Sequence, residues 1–127
     1  MAAGAQILVV EDNGKNMKLF RDVLLAKGYR TLEATTGEEA VALAVEHSPD
    51  LVLMDIQLPD IDGVAALGRL RADARTASLP VLALTAQAME GDRERFLAAG
   101  FDGYVSKPVN IAEFVATVKL YCEGGRQ

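Results

Sequence analysis

A five-stranded parallel sheet with helices on both faces is the fold this sequence predicts, and three observations predict it. Five short apolar runs recur along the 127 residues, segments with helical spacing lie between them, and turn residues punctuate the junctions. Strands that alternate with helices make βαβ units, because parallel neighbours need a long crossover. Right-handed crossovers and five strands then give a doubly wound α/β sheet of order 2-1-3-4-5, a flavodoxin-like (βα)5 arrangement.

The runs Ile7-Leu8-Val9-Val10, Leu51-Val52-Leu53-Met54 and Val81-Leu82-Ala83-Leu84 are apolar throughout, as central strands buried on both faces require. Thr31-Leu32-Glu33-Ala34 and Gly103-Tyr104-Val105 are mixed, as edge strands are. Met17, Phe20 and Leu24 predict the buried stripe of a first helix. Ala40, Leu43, Ala44 and His47 predict that of a second, and Ile111, Phe114, Val115 and Val118 that of a last. Gly28, Ser48-Pro49 and Gly100 stop helices, Gly37 begins one, and Asn110 supplies an N-cap. All 127 residues form one domain with a core of about residues 6–121, and the tail Glu123-Gly124-Gly125-Arg126-Gln127 is expected to fray.

Half the residues are hydrophobic and 24% are charged, which is a globular composition able to build one core. A net charge of −5 argues against a nucleic-acid surface, which needs a basic stripe. No apolar run approaches the ~20 residues of a membrane span, and the first residues carry no basic signal region. Cys122 has no second cysteine to pair with, so a reducing cytoplasm is the expected location.

The polar residues that follow the apolar runs carry the chemistry. The first run ends in Glu11-Asp12, the third in Asp55, the fourth in Thr85 and the fifth in Ser106-Lys107-Pro108. A parallel sheet delivers every strand's carboxyl end to one edge, where ligands bind. Three carboxylates, one hydroxyl and one ammonium would therefore converge. Crowded carboxylates favour a cation, and all-oxygen donors select a hard one such as Mg²⁺. A carboxylate can also attack phosphorus and form an acyl phosphate. Phosphoryl transfer needs in-line positioning and neutralised oxygens, which Mg²⁺, Lys107 and Thr85 would supply. Asp55 ends the central run before the loop Ile56-Gln57-Leu58-Pro59-Asp60-Ile61-Asp62-Gly63 and is the expected nucleophile. Glu11 and Asp12 are better placed to hold metal, directly or through water.

Glu11-Asp12, Asp55 with Pro59 and Gly63, Thr85-Ala86 and Lys107-Pro108 together resemble the response-regulator receiver domain of bacterial two-component signalling. The resemblance implies that a sensor histidine kinase or histidine phosphotransferase phosphorylates Asp55 from a phosphohistidine. It implies that Asp12, Asp55 and the backbone carbonyl of Gln57 bind Mg²⁺, with Glu11 helping through water. Thr85 and Tyr104 would form a switch pair, Lys107 would pair with the phosphoryl group, and the Lys107–Pro108 peptide would be cis. Glu11-Asp12-Asn13, Asn16-Met17-Lys18-Leu19-Phe20 and Met54-Asp55-Ile56-Gln57-Leu58-Pro59 are similar to receivers that stand alone in cell-division control, and similar stretches occur in hybrid kinases. Gly14, near the start of the first helix, departs from the pattern and could loosen the phosphodonor's docking surface.

Three other functions fit less well. A haloacid-dehalogenase-type phosphatase needs an acid two residues after its nucleophile, where this chain has Gln57. A flavodoxin-like cofactor binder needs a phosphate cradle where Glu11-Asp12 stands, and no glycine-rich phosphate motif occurs. A receiver that binds partners without phosphorylation would not need Asp55, Thr85 and Lys107 together. His47 suits the dipole at a helix end and Cys122 suits packing, so neither is assigned chemistry. Gln57 and Gln87 flank the site and are expected to tune dephosphorylation. Because no effector domain follows the last helix, output is expected through a downstream protein partner, at a surface of the fourth helix, fifth strand and fifth helix.

Overall fold

Each apolar run becomes a strand and each amphipathic segment a helix. The computed structural model describes residues 4–85, 92–107 and 109–123. Its elements are β1 (Gln6–Val10), α1 (Gly14–Ala26), β2 (Arg30–Ala34), α2 (Gly37–His47), β3 (Leu51–Asp55), α3 (Gly63–Ala72), β4 (Val81–Thr85), α4 (Asp92–Ala99), β5 (Gly103–Ser106) and α5 (Ile111–Glu123). All neighbouring strands pair in parallel, in the order β2-β1-β3-β4-β5. Ala86, Gln87, Pro108 with its peptide bond, and the tail from Gly124 lie outside the described residues.

Every residue of β3 and β4 is buried, while β2 and β5 at the edges are partly open. The two-residue period of a strand splits this apolar content between two faces. Leu8, Val10, Val52, Met54 and Ala83 face α2, α3 and α4, where Ala40, Ala44, Leu67, Leu70 and Phe96 cover them. Ile7, Val9, Leu51, Leu53, Leu82 and Leu84 face α1 and α5, where Phe20, Leu24, Phe114 and Val118 cover them. Phe20 and Phe114 meet there at a centroid distance of 5.3 Å. On the other face Phe96 fixes α4, edge-on to Phe101 at 6.0 Å and tilted against Tyr104 at 6.2 Å.

Local capping explains where the helices begin. Asn13, Thr36, Asp62 and Asn110 each accept the backbone N–H three residues on, satisfying a donor that the helix leaves free. Ser48 ends α2 in the left-handed region at φ 47°. Strands run further than the apolar runs indicate: Asp55, Thr85 and Ser106 are the last residues of β3, β4 and β5, because ladder pairing continues through them. His47 and Ile111, expected on buried stripes, are exposed. Each is the outermost residue of its helix, with a neighbouring turn on one side only.

The sheet edge away from the strands' carboxyl ends is fastened by one side chain. Arg71 at the end of α3 donates to the carbonyls of Ala77, Leu79 and Gly100, and to Asp102 Oδ2 at 3.0 Å. The same Asp102 oxygen accepts the N–H of Val81, and the Asp102 carbonyl accepts the Tyr121 hydroxyl. Gly103 leaves room for that hydroxyl, since a Cβ there would lie 2.7 Å from it.

Gly68 lies exposed in the interior of α3, and a Cβ there would meet nothing within 4 Å. Gly68→Ala is therefore expected to stabilise the domain by about 0.5–1 kcal/mol, read as a higher urea midpoint at unchanged m-value.

Candidate functional site: a carboxylate cleft at the sheet's carboxyl edge

A cleft of about 370 Å³ opens where β1, β3 and β4 end, and Glu11, Asp12, Asp55, Gln57, Thr85 and Lys107 all line it. Strand topology alone predicts five of these there, and Gln57 follows from the family resemblance. Asn13, Asn16 and Ile56 also line the cleft and were not foreseen as lining residues. Asn13 follows Glu11-Asp12 directly and Asn16 is its own cap partner, so the signal existed but pointed first to helix capping.

The carboxylates sit in different environments. Glu11 is 1% exposed and Asp55 is 5% exposed, whereas Asp12 is open to solvent. Asp55 Oδ1 accepts the N–H of Gln57 at 2.9 Å, and Asp55 Oδ2 accepts the Lys107 ammonium at 2.9 Å. Glu11 Oε2 accepts the N–H of Asn13 at 3.2 Å. Glu11 Oε1 lies 2.7 Å from Lys107 Nζ, and this ion contact is the one partner of that buried oxygen among the described residues. Lys107 is held in turn by its own N–H on the Thr85 carbonyl at 2.7 Å.

Burial pushes the Glu11 carboxyl above its ordinary pKa, the neighbouring Asp55 adds to this, and Lys107 pulls the other way. Burial by itself would lower Lys107, but its contacts with Glu11 and Asp55 outweigh that and leave its pKa raised. The ammonium is thus firmly charged between two carboxylates.

One oxygen from each of Glu11, Asp12 and Asp55 lies within 4.8 Å of the others. Three such oxygens against one ammonium leave negative charge in excess among the described residues. Oxygen-only donors of this kind fit a hard divalent cation, and Mg²⁺ is the ion that binds with few carboxylates and keeps room for other oxygens.

The loop from β3 to α3 is built closely against Asp55. Gly63 donates its N–H to the Ile56 carbonyl at 2.8 Å, and a Cβ on Gly63 would lie 2.5 Å from the Asp55 carbonyl oxygen. Only glycine permits this approach. At the loop's tip, Asp60 accepts the N–H groups of Gly37 and Glu38 at 2.7 and 2.9 Å. Those bonds, that of Glu38 foremost, bring the Asp60 pKa down to about 2. No local pattern reveals Asp60, because its partners lie more than twenty residues away.

Tyr104 does not line this cleft. It pairs with Ala83 across β4–β5, whereas Thr85 pairs with Ser106. Its half-buried ring packs on Phe96 and borders a separate groove of about 250 Å³ with Ser106, Asn110 and Glu113.

Five parallel strands that gather acids and one lysine at their carboxyl edge define a class, and sequence comparison agrees with it. The chain belongs to the response regulator receiver domain family, whose model matches residues 7–119. It is similar to the polar-differentiation response regulator DivK of Brucella ovis, 48% identical over 115 residues, which cover 91% of this chain and 94% of DivK. Among solved structures it is similar to the receiver domain of the sensor histidine kinase PA1611 from Pseudomonas aeruginosa. That domain has a magnesium ion coordinated in its active-site cleft; identity is 38%, the TM-score is 0.87, and 94% of this chain and 98% of that chain are covered. The receiver domain of Ssk1 from Saccharomyces cerevisiae, solved with the histidine phosphotransfer protein Ypd1, also matches. There the TM-score is 0.89 and identity 25%, covering 98% of this chain and 93% of that one.

Two unit charges 4.8 Å apart repel by roughly 3 kcal/mol at an effective dielectric constant of ~20, and Lys107 offsets part of this. Asp55→Asn is therefore expected to stabilise the metal-free domain by about 1–2 kcal/mol. Urea melts in EDTA measure this; saturating Mg²⁺ should shrink the difference, and a clearly weakened mutant in EDTA would contradict the charge argument.

Proposed function

We propose that this chain is the phosphoacceptor of a two-component phosphorelay. Asp55 takes a phosphoryl group from a phosphohistidine on a sensor histidine kinase or histidine phosphotransferase, and the phosphorylated protein signals by binding a downstream protein. The observation that carries this reading is the Asp55 carboxylate itself: it is buried and oriented by the Gln57 N–H and the Lys107 ammonium, at the floor of an open cleft.

In the transfer step an Asp55 oxygen attacks phosphorus in line with the P–N bond of the donor. The O–P bond forms as the P–N bond breaks, and the bonding electrons leave with the imidazole ring. Lys107, already charged and 2.9 Å from Asp55, pairs with a phosphoryl oxygen, and the Thr85 hydroxyl donates to another. Glu11, Asp12, Asp55 and the Gln57 carbonyl would hold Mg²⁺, Glu11 through water, and the bound ion supplies positive charge to the phosphoryl oxygens. The chain thereby assists its own phosphorylation and dephosphorylation without turning over a separate substrate. Tyr104 is the second member of the switch with Thr85. Its contact with Phe96 supports a path from the cleft to α4 and the α4–β5–α5 surface.

The 48% identity to a polar-differentiation regulator supports a role in cell-cycle or cell-division control. The acidic charge and the absence, among the described residues, of a helix long and apolar enough to cross a membrane support a cytoplasmic site of action away from nucleic acid.

Incubation with acetyl phosphate or phosphoramidate, read by intact mass, should add one phosphoryl group that requires Mg²⁺ and disappears in Asp55→Asn. No gain in folded protein under any condition would favour a binding module that works without phosphorylation. Thr85→Ala should still accept the phosphoryl group but lose most of the difference in partner affinity between the two forms, since a ligand shifts a two-state equilibrium only by its differential affinity. Undiminished phospho-dependent binding in that variant, measured by calorimetry, would remove Thr85 from the coupling.

A further inference from the structure

We propose that Asp60 is a positioning residue for the cation site, acting by fixing the β3–α3 loop to the amino end of α2. This rests on the phosphoacceptor reading above, in which the Gln57 carbonyl is a ligand.

The argument begins with the four N–H groups that a helix leaves without partners at its start. In α2 three of them have named partners. Glu39 donates to the Thr36 hydroxyl, and Gly37 and Glu38 donate to the two oxygens of Asp60, while Ala40 makes the first bond within the helix, to the Thr36 carbonyl. The Glu39 side chain reaches back to the N–H of Thr35, so the local residues secure the Thr35–Glu39 turn while Asp60 serves Gly37 and Glu38. What Asp60 adds is a link between this helix end and a loop more than twenty residues on in sequence. The negative charge also faces the positive end of the helix dipole. Beside it, Ile61 packs so closely on Gly37 that a Cβ there would overlap the isoleucine side chain.

The loop so held carries Gln57. A side-chain ligand can adjust by changing rotamer, but a backbone carbonyl is placed only by the chain that bears it. The loop is tied at its neck, where Gly63 bonds Ile56 and Gln57 bonds Asp55, and at its tip, where Asp60 bonds α2. Mg²⁺ accepts little departure from octahedral geometry at about 2.0–2.1 Å, so a loop free to shift would present its carbonyl poorly. Removing a direct outer partner of a metal ligand typically costs roughly 10–100-fold in affinity. Asp60 acts through the loop while the neck persists, so a loss of roughly three- to tenfold is expected.

The test is Mg²⁺ titration of the whole chain by calorimetry, with thermal melts for each variant. Asp60→Ala should weaken Mg²⁺ binding roughly three- to tenfold. Asp60→Asn, whose amide oxygen can accept one of the two N–H groups, should fall between it and wild type. Thr36→Ala removes a cap from the same helix end without touching the loop; it should lower the melting temperature and leave Mg²⁺ affinity at the wild-type value. A folded Asp60→Ala that binds Mg²⁺ like wild type would overturn the proposal and leave the phosphoacceptor reading standing. Equal weakening by Thr36→Ala would also overturn it, since loosening the helix end would then suffice. If Asp60→Ala does not fold, Asp60→Asn decides by the same criterion. Wild-type protein that binds no Mg²⁺ would remove the phosphoacceptor reading and this inference with it.

Discussion

One ammonium group gathers the ends of the strands. Lys107 Nζ stands 2.7 Å from Glu11 after β1 and 2.9 Å from Asp55 at the end of β3, and the lysine's own N–H bonds the Thr85 carbonyl at the end of β4. Desolvating a lysine and two carboxylates is expensive, and a buried ion cluster is weak evidence of stabilisation. The arrangement makes sense as a site kept under electrostatic tension. The hydrophobic faces of the sheet hold the acids together, and the lysine only reduces their repulsion. The negative charge left over is what gives a cation its place.

The parts that follow from periodicity were legible in the sequence. Ile7–Val10, Leu51–Met54 and Val81–Leu84 show central strands because burial on both faces leaves no polar residue among them. Once the strands are parallel, the residue after each run must lie on one edge, and so Glu11, Asp12, Asp55, Thr85 and Lys107 could be assembled without coordinates. Residues whose meaning depends on distant partners were not legible. Asp60 looks like a loop acid until α2 is set beside it, and Arg71 looks like a surface charge until the turns beyond α3 fold over it. His47 and Ile111 misled because helical spacing assigns a face but not where the covering sheet stops.

The two flanks of the sheet are covered by different aromatic contacts. On one, α1 and α5 meet through Phe20 and Phe114 and close over the three central strands β1, β3 and β4. On the other, α4 has eight residues and rests on Phe96 within a cluster of three aromatic rings, beside a β5 of four residues. Among the described residues of α4, Phe96 is the one side chain buried in the core. Tyr104 belongs to that cluster, and its ring packs on Phe96.

Arg71 gives the opposite edge of the sheet a contrasting character. Its guanidinium gathers carbonyl oxygens and one carboxylate as Lys107 gathers acids. By bonding the Gly100 carbonyl it moors α4 at the end remote from the cleft. The domain therefore has one pole where acids outnumber the lysine between them and another where an arginine is met by the chain's own oxygens. The second pole holds the Gly100 end of α4 through bonds that the chain makes with itself.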